Sequence, residues 1–191
     1  MVILGIDPGT LVTGFGVIEG DGNTCSAVGF DTVKSSGNRP MPDRLKHIYD
    51  SLCKAIKMYH PDELAIETAF YGKNAQSALK IGQARGVCIL AGANNRIPIT
   101  EYSPREVKKA IVGNGAASKE QVQSMVKTLL RLRQAPRVLD VTDALAVALC
   151  HHFRIASKRQ PAHKLSLGRY RDWKSFIEAN PSRLYVGTRT K

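Results

Sequence analysis

Val2-Ile3-Leu4-Gly5-Ile6-Asp7-Pro8-Gly9-Thr10 opens the chain with an apolar run that ends on a carboxylate. The run is too short for a core helix and has no polar face, so it reads as a buried strand over 2–7. Glu63-Leu64-Ala65-Ile66-Glu67 repeats the pattern, and Asp140 and Asp143 open a third apolar stretch, Leu145 to Leu149. An acid pressed against an apolar core must be hydrogen-bonded, paired or bound to a metal. Four such acids that converge need a compensating charge.

Around these stretches the chain alternates strands and helices. Thr13 to Ile18 reads as a second strand, with Gly14 and Gly16 allowing close backbone approach. Asp21-Gly22-Asn23 is a hairpin signal, and residues 24–33 return as a third strand. After a loop over Asn38 to Pro42, Leu45, Ile48, Leu52 and Ile56 recur at helical spacing until Pro61. A fourth strand over 63–67 precedes a loop, Phe70 to Asn74, and a helix over about 75–94. Ile97 to Thr100 reads as a fifth strand. Ser103-Pro104-Arg105-Glu106 has an N-cap, a first-turn Pro and a capping-box acid. Ser118 with Gln121 repeats the capping box, and Val122, Met125, Val126, Leu129 and Leu130 line one face of the helix that follows. A last core helix spans about Asp140 to Phe153. The predicted fold class is α/β, a mixed five-stranded sheet with helices on both faces. In such sheets the site lies beyond the C-terminal ends of the parallel strands, where Asp7 and Glu67 stand.

The 191 residues suit one domain, 1–156, followed by a basic tail, 157–191, expected to be flexible. The net charge of +12 is unevenly placed: residues 154–191 carry 10 Lys/Arg against 2 Asp/Glu, and residues 1–153 carry 18 against 14. The tail reads either as a solubilising stretch or as an arm along phosphates. Within it only Trp173-Lys174-Ser175-Phe176-Ile177 suggests a short turn. No apolar run is long enough to span a membrane, and no secretory signal is read at the N-terminus. Cys25, Cys53, Cys88 and Cys150 form no C-x-x-C, which argues against zinc and for a reducing cytoplasm.

Asp140 and Asp143 share one helix face at i,i+3 spacing and sit at the positive end of its dipole. Either acid could simply cap the helix. Convergence with Asp7 and Glu67 points instead to Mg²⁺, with Mn²⁺ as a substitute, because hard oxygen donors select these ions. Two such ions about 3.5–4 Å apart activate a water and stabilise a leaving 3′ oxygen. No Ser-His-Asp arrangement or reactive Cys competes, and His151 and His152 read as surface or core residues.

The segments Ile3 to Thr10, Thr13 to Ile18, Ala65 to Phe70 with Lys73-Asn74, Ser77 to Gly86 and Asp140 to Ala146 together closely resemble the bacterial RuvC family of Holliday-junction resolvases. The resemblance runs in order over about residues 2–153. It implies an RNase H-like fold, a homodimer, and symmetric paired nicks in four-way junction DNA during recombination and repair. It places the metal-binding carboxylates on Asp7, Glu67, Asp140 and Asp143, a junction-probing aromatic on Phe70, and basic residues near the scissile phosphate on Lys108 and Lys119. It further implies T-rich cleavage sites and a RuvA–RuvB branch-migration motor as partner. Thr10 stands where the family often has Ser, Tyr71-Gly72 falls in a variable spot, and the tail after Phe153 matches no family motif.

Other readings remain open at this level. Asp-x-Gly-Thr also opens actin-like ATPases and sugar kinases, although these need a second phosphate loop and a longer chain. A non-catalytic junction binder is the third reading, and the presence of all four acids argues against it. Phe70 reads either as a core anchor or as a wedge that stacks on an unpaired base. Lys108, Lys109 and Lys119 read either as solvated helix residues or as part of a phosphate-facing wall between Arg96 and Arg137. Ala75, Ala78, Gly82, Ala84 and Gly86 suit a dimer seam and a core contact equally.

Overall fold

The computed structural model describes residues 1–22, 24–68, 75–133, 138–159 and 173–179. β1 (Val2–Asp7) pairs antiparallel with β2 (Val12–Asp21), and β2 pairs antiparallel with β3 (Thr24–Lys34). Helix α1 (Met41–Tyr59) then carries the chain to β4 (Glu63–Glu67), which joins β1 in parallel. Helix α2 (Ala75–Asn94) leads to β5 (Ile99–Tyr102), parallel to β4. The result is a mixed five-stranded sheet in the order β3-β2-β1-β4-β5. Three helices follow, α3 (Pro104–Val112), α4 (Lys119–Leu129) and α5 (Leu139–Arg159).

Strand alternation sorts the sheet into two faces. Leu4, Ile6, Val17, Leu64 and Ile66 point to one side and pack on α1 and α2 through Ile48, Leu52, Ile56, Ala84 and Cys88. Ile3, Ile18, Ala65 and Tyr102 point to the other and pack on α3, α4 and α5. Helices therefore cover both faces, as the sequence predicts. The same alternation places Asp7, two residues after Gly5, and Glu67, two after Ala65, on the α5 side.

Several boundaries differ from the sequence reading for physical reasons. The fifth strand is Ile99–Tyr102, not 97–100. Pro98 has no N–H to donate, and its carbonyl only accepts from Leu64 at 2.9 Å, so the ladder starts after it. Met41 and Pro42, read as loop, form the first turn of α1, where a missing N–H costs nothing. That helix ends at His60 in the left-handed region, its N–H reaching the Ile56 carbonyl, just before Pro61. β2 runs from Val12 to Asp21, longer than 13–18, because β3 pairs along all of it through a register shift at Val17/Ile18. On α4, Val122 and Val126 are buried, but Met125 is exposed.

The chain divides into two compact units, Met1–Ala156 and Ser157–Lys191. In the second, α6 (Trp173–Ala179) is a seven-residue helix where the sequence suggests at most a turn. Among the described residues, no helix is long and apolar enough to cross a membrane.

Candidate active site

α5 lies close on the sheet, and at Gly5 and Gly14 its backbone meets the strands with no side chain between. A methyl group on Gly5 would collide with the Ala144 carbonyl, and one on Gly14 with the Asp140 carbonyl. One on Gly16 would come within 2.7 Å of Leu145 Cγ. These glycines make a floor on which the helix backbone rests directly. Its first turn is thereby held over the ends of β1 and β4, with Asp140 and Asp143 near Asp7 and Glu67. The two neighbouring helices are aimed by their N-caps. Ser103 and Glu106 exchange capping-box hydrogen bonds at the start of α3, and Ser118 and Gln121 do so at the start of α4. These helices present Lys108 and Lys119 to the same place.

A cleft of about 250 Å³ results, lined by Asp7, Glu67 and Asp143, by Lys108 and Lys119, and by an apolar rim of Pro104, Val107, Val122 and Ala146. Lys119 Nζ sits 3.0 Å from Asp143 Oδ2. Asp140 does not line the cleft, yet its charge acts on Asp7. Burial pushes the Asp7 carboxyl up to about 7, helped by the charges of Asp143 and Asp140 and opposed by Lys119. Burial likewise pushes Glu67 up to about 8, helped by Asp7 and Asp143 and opposed by Lys119 and Lys108. Behind them the buried thiol of Cys88 is driven up to about 12 by its apolar surroundings and by Asp7. Cys88 is a core residue and offers no thiolate.

The cleft is thus under-neutralised, since its acids are buried and repel one another, and Lys108 and Lys119 do not fully offset them. A divalent cation fits the donor chemistry, which is all carboxylate oxygen, and would supply the missing positive charge. Among the described residues no three acidic, His or Cys side chains stand in a ready ligating arrangement. The acids share one cleft without forming a closed cage.

The structure therefore brings together Asp7, Glu67, Asp143, Lys108 and Lys119, with Asp140 at the edge. Lys109 is exposed, and Phe70 lies outside the described residues. His151 and His152 are both buried in the core. Sequence reading missed the network that His151 joins. Its Nδ1 lies 2.7 Å from the Tyr102 hydroxyl and its Nε2 lies 2.7 Å from Glu63 Oε2. The available signal was parity: Glu63, Ala65 and Glu67 share a strand face, so an acid at 63 must also meet α5.

A three-stranded antiparallel unit extended by two parallel strands, with acids at the ends of β1 and β4 and at the start of α5, defines the RNase H-like class of α/β proteins. Within it the description "Crossover junction endodeoxyribonuclease RuvC" matches residues 3–151. The RuvC protein of Chloroherpeton thalassium is 46% identical over 181 residues, covering 95% of this chain and 97% of that one. That of Desulforamulus reducens is 51% identical over 151 residues, covering 79% and 93%. Thermus thermophilus RuvC, solved in complex with a Holliday junction substrate, superposes with a TM-score of 0.79 at 34% identity, covering 83% of this chain and 96% of that one. The chain belongs to the RuvC family of crossover junction endodeoxyribonucleases. The ATPase and sugar-kinase reading is set aside.

Proposed function

We propose that this protein resolves four-way DNA junctions by nicking two opposed strands symmetrically, as a Mg²⁺-dependent endodeoxyribonuclease of recombination and repair. The observation that carries the reading is the acid-rich, under-neutralised cleft at the ends of β1 and β4 in a chain of this family. Asp7, Glu67, Asp140 and Asp143 would hold Mg²⁺, two ions per site, with Mn²⁺ as substitute. Bound there, the metal supplies the Lewis-acid chemistry of phosphodiester hydrolysis. Water adds to phosphorus and the bond to the 3′ oxygen breaks.

The chain's own residues do the rest. Lys108 and Lys119 sit on the cleft wall, where an ammonium meets a phosphate oxygen. Lys119 now pairs with Asp143, so a bound phosphate would draw it away and free that carboxylate. The apolar rim of Pro104, Val107, Val122 and Ala146 limits water around the acids and strengthens each charge interaction. Phe70, three residues past Glu67, would stack on a base unpaired at the junction centre.

Symmetric nicking requires two sites, hence a homodimer. The outer side of α2 suits the seam: Leu79 and Leu90 are exposed, and a Cβ at Gly82 or Gly86 would meet open space. A RuvA–RuvB branch-migration complex is the expected partner, in the cytoplasm.

The test is nicking of a synthetic four-way junction. Cleavage should need Mg²⁺ or Mn²⁺, fail in Ca²⁺, whose longer bonds and higher coordination spoil the geometry, and stop in EDTA. Full cleavage in EDTA would sink the metal-dependent reading. Phe70→Ala should lower cleavage more than binding, and Phe70→Tyr should keep both.

A further inference from the structure

The glycine floor beneath α5 fixes how closely the helix approaches the sheet but leaves it free to slide. Much of its other contact on that face comes from Val141, Ala144, Leu145, Ala148 and Leu149, apolar groups with no directional preference, with His152 packed against Gly20 further along. Cleft geometry nevertheless depends on where along its axis α5 stops. A shift of one residue turns the helix by about 100° and carries Asp143 away from Glu67.

A directional contact exists at the other end. His151 stands eight residues beyond Asp143 on α5, about 12 Å along the helix. Glu63 stands four residues before Glu67 on β4, about 13 Å along the strand. The two spans match, so the His151–Glu63 hydrogen bond and the Asp143–Glu67 juxtaposition are two rungs between one helix and one strand. A carboxylate only accepts, so His151 Nε2–H donates to Glu63; in the neutral ring Nδ1 then accepts from the Tyr102 hydroxyl. His151 and Tyr102 are 3% and 2% exposed, which shields the bond between them from competing water, while Glu63 reaches the ring from a partly exposed position.

Tyr102 extends the connection to the cleft. It is the Cα partner of Glu67 across β4 and β5. Its carbonyl accepts from the Thr68 N–H at 2.7 Å and from the Thr68 hydroxyl at 3.2 Å, fixing the residue that follows Glu67. The Arg154 guanidinium, one turn beyond His151, lies 5.6 Å from the centre of the Tyr102 ring. One buried imidazole thus ties α5 to both ends of the β4–β5 pair.

We propose that Glu63, His151 and Tyr102 are positioning residues for the nuclease cleft, locking the register of α5 so that Asp140 and Asp143 meet Asp7 and Glu67. The role rests on the nuclease reading above. None of the three lines the cleft, so they act through α5 and β4 and do not touch the substrate.

Tyr102→Phe removes one hydroxyl and keeps the ring; Glu63→Ala removes the acceptor; Glu63→Gln restores an acceptor oxygen. Each folded protein is compared with wild type by Mn²⁺ titration without DNA, by kcat and KM on a four-way junction in saturating Mg²⁺, and by thermal melting. Tyr102→Phe and Glu63→Ala should weaken Mn²⁺ binding roughly 10-fold and lower kcat by a similar factor, with KM unchanged, and Glu63→Gln should recover both. Lower melting temperatures with wild-type Mn²⁺ affinity and kcat would reduce the network to core packing and overturn the proposal. Wild type that binds Mn²⁺ but leaves the junction uncut would sink the nuclease reading alone, since the Mn²⁺ comparison still decides the register lock. Wild type that binds no Mn²⁺ would remove both.

Discussion

The α5-facing side of the sheet carries acids at both ends and treats them in opposite ways. At the far end Glu63 meets the imidazole of His151 at 2.7 Å, and that ring is satisfied again by Tyr102. At the near end Asp7, Glu67 and Asp143 face one another, and Lys119 is the cation paired with them, at 3.0 Å from Asp143. At the far end donors and acceptors match. The near end holds more acids than cations, and its Asp7 and Glu67 carboxyls are raised, by burial first and by their acidic neighbours second. A fold keeps such a defect only where something from outside completes it, so the contrast separates a structural polar cluster from a site.

The sharpest way to break the contrast is to remove the surplus. Asp7→Asn, Glu67→Gln, Asp140→Asn and Asp143→Asn should each lower junction cleavage by more than about 100-fold, with junction binding retained or tightened. Single-turnover nicking and gel-shift titration read the two quantities separately. Wild-type nicking by any one variant removes that residue from the site.

A large effect is also expected from the floor. Gly5→Ala forces α5 away from β1, so it should cost about 1–3 kcal/mol of stability and most of the cleavage activity. Urea unfolding and nicking of the folded fraction measure both. Unchanged values would mean that α5 does not need the close approach.

A third expectation concerns pH. Asp7 and Glu67 bind protons more tightly in the folded protein than unfolded, where they titrate near 3.8 and 4.5. Their contribution to stability is therefore fully present below about pH 4, erodes as pH rises, and is lost above about pH 8. Asp7→Asn removes a buried charge together with its repulsion of Asp143 and Asp140, so this variant should melt above wild type at pH 8 and alongside it at pH 4. Mg²⁺ should narrow the gap by stabilising wild type. Identical melting curves at pH 8 would mean that the cleft acids are already neutralised.

The smallest effect belongs to the tail. Deleting residues 157–191 removes 9 Lys/Arg and 2 acids and should leave nicking chemistry intact. For every DNA phosphate that the shortened protein no longer neutralises, the slope of log affinity against log salt should fall by about 0.9. An unchanged slope would turn attention to partner docking through Trp173 to Ala179.

Much of this was readable in the chain because the signals are local. Asp7 and Glu67 each end an apolar run, and Ser103 and Ser118 carry their capping partners three residues away. The glycines at 14 and 16 announced a close approach, though not that α5 would make it. What stayed hidden was non-local. The Glu63–His151 pair is separated by 88 residues, and nothing in the run around His151 names its partner. The pairing of Lys119 with Asp143 depends on how α4 packs beside α5. β5 was misplaced by two residues because apolar content at Ile97 was weighed above the missing donor of Pro98.

The glycine floor has a last consequence, for how the protein can vary. Where a side chain separates two elements, exchanging it for a larger or smaller one tunes their spacing in either direction. Here the spacer at Gly5 and Gly14 has no length, and the gap is set by the contact radii of backbone atoms. Every substitution at those positions can only widen it. The distance between the acids of α5 and those of the sheet thus works as a fixed stop, reachable from one side and adjustable only by rebuilding the helix.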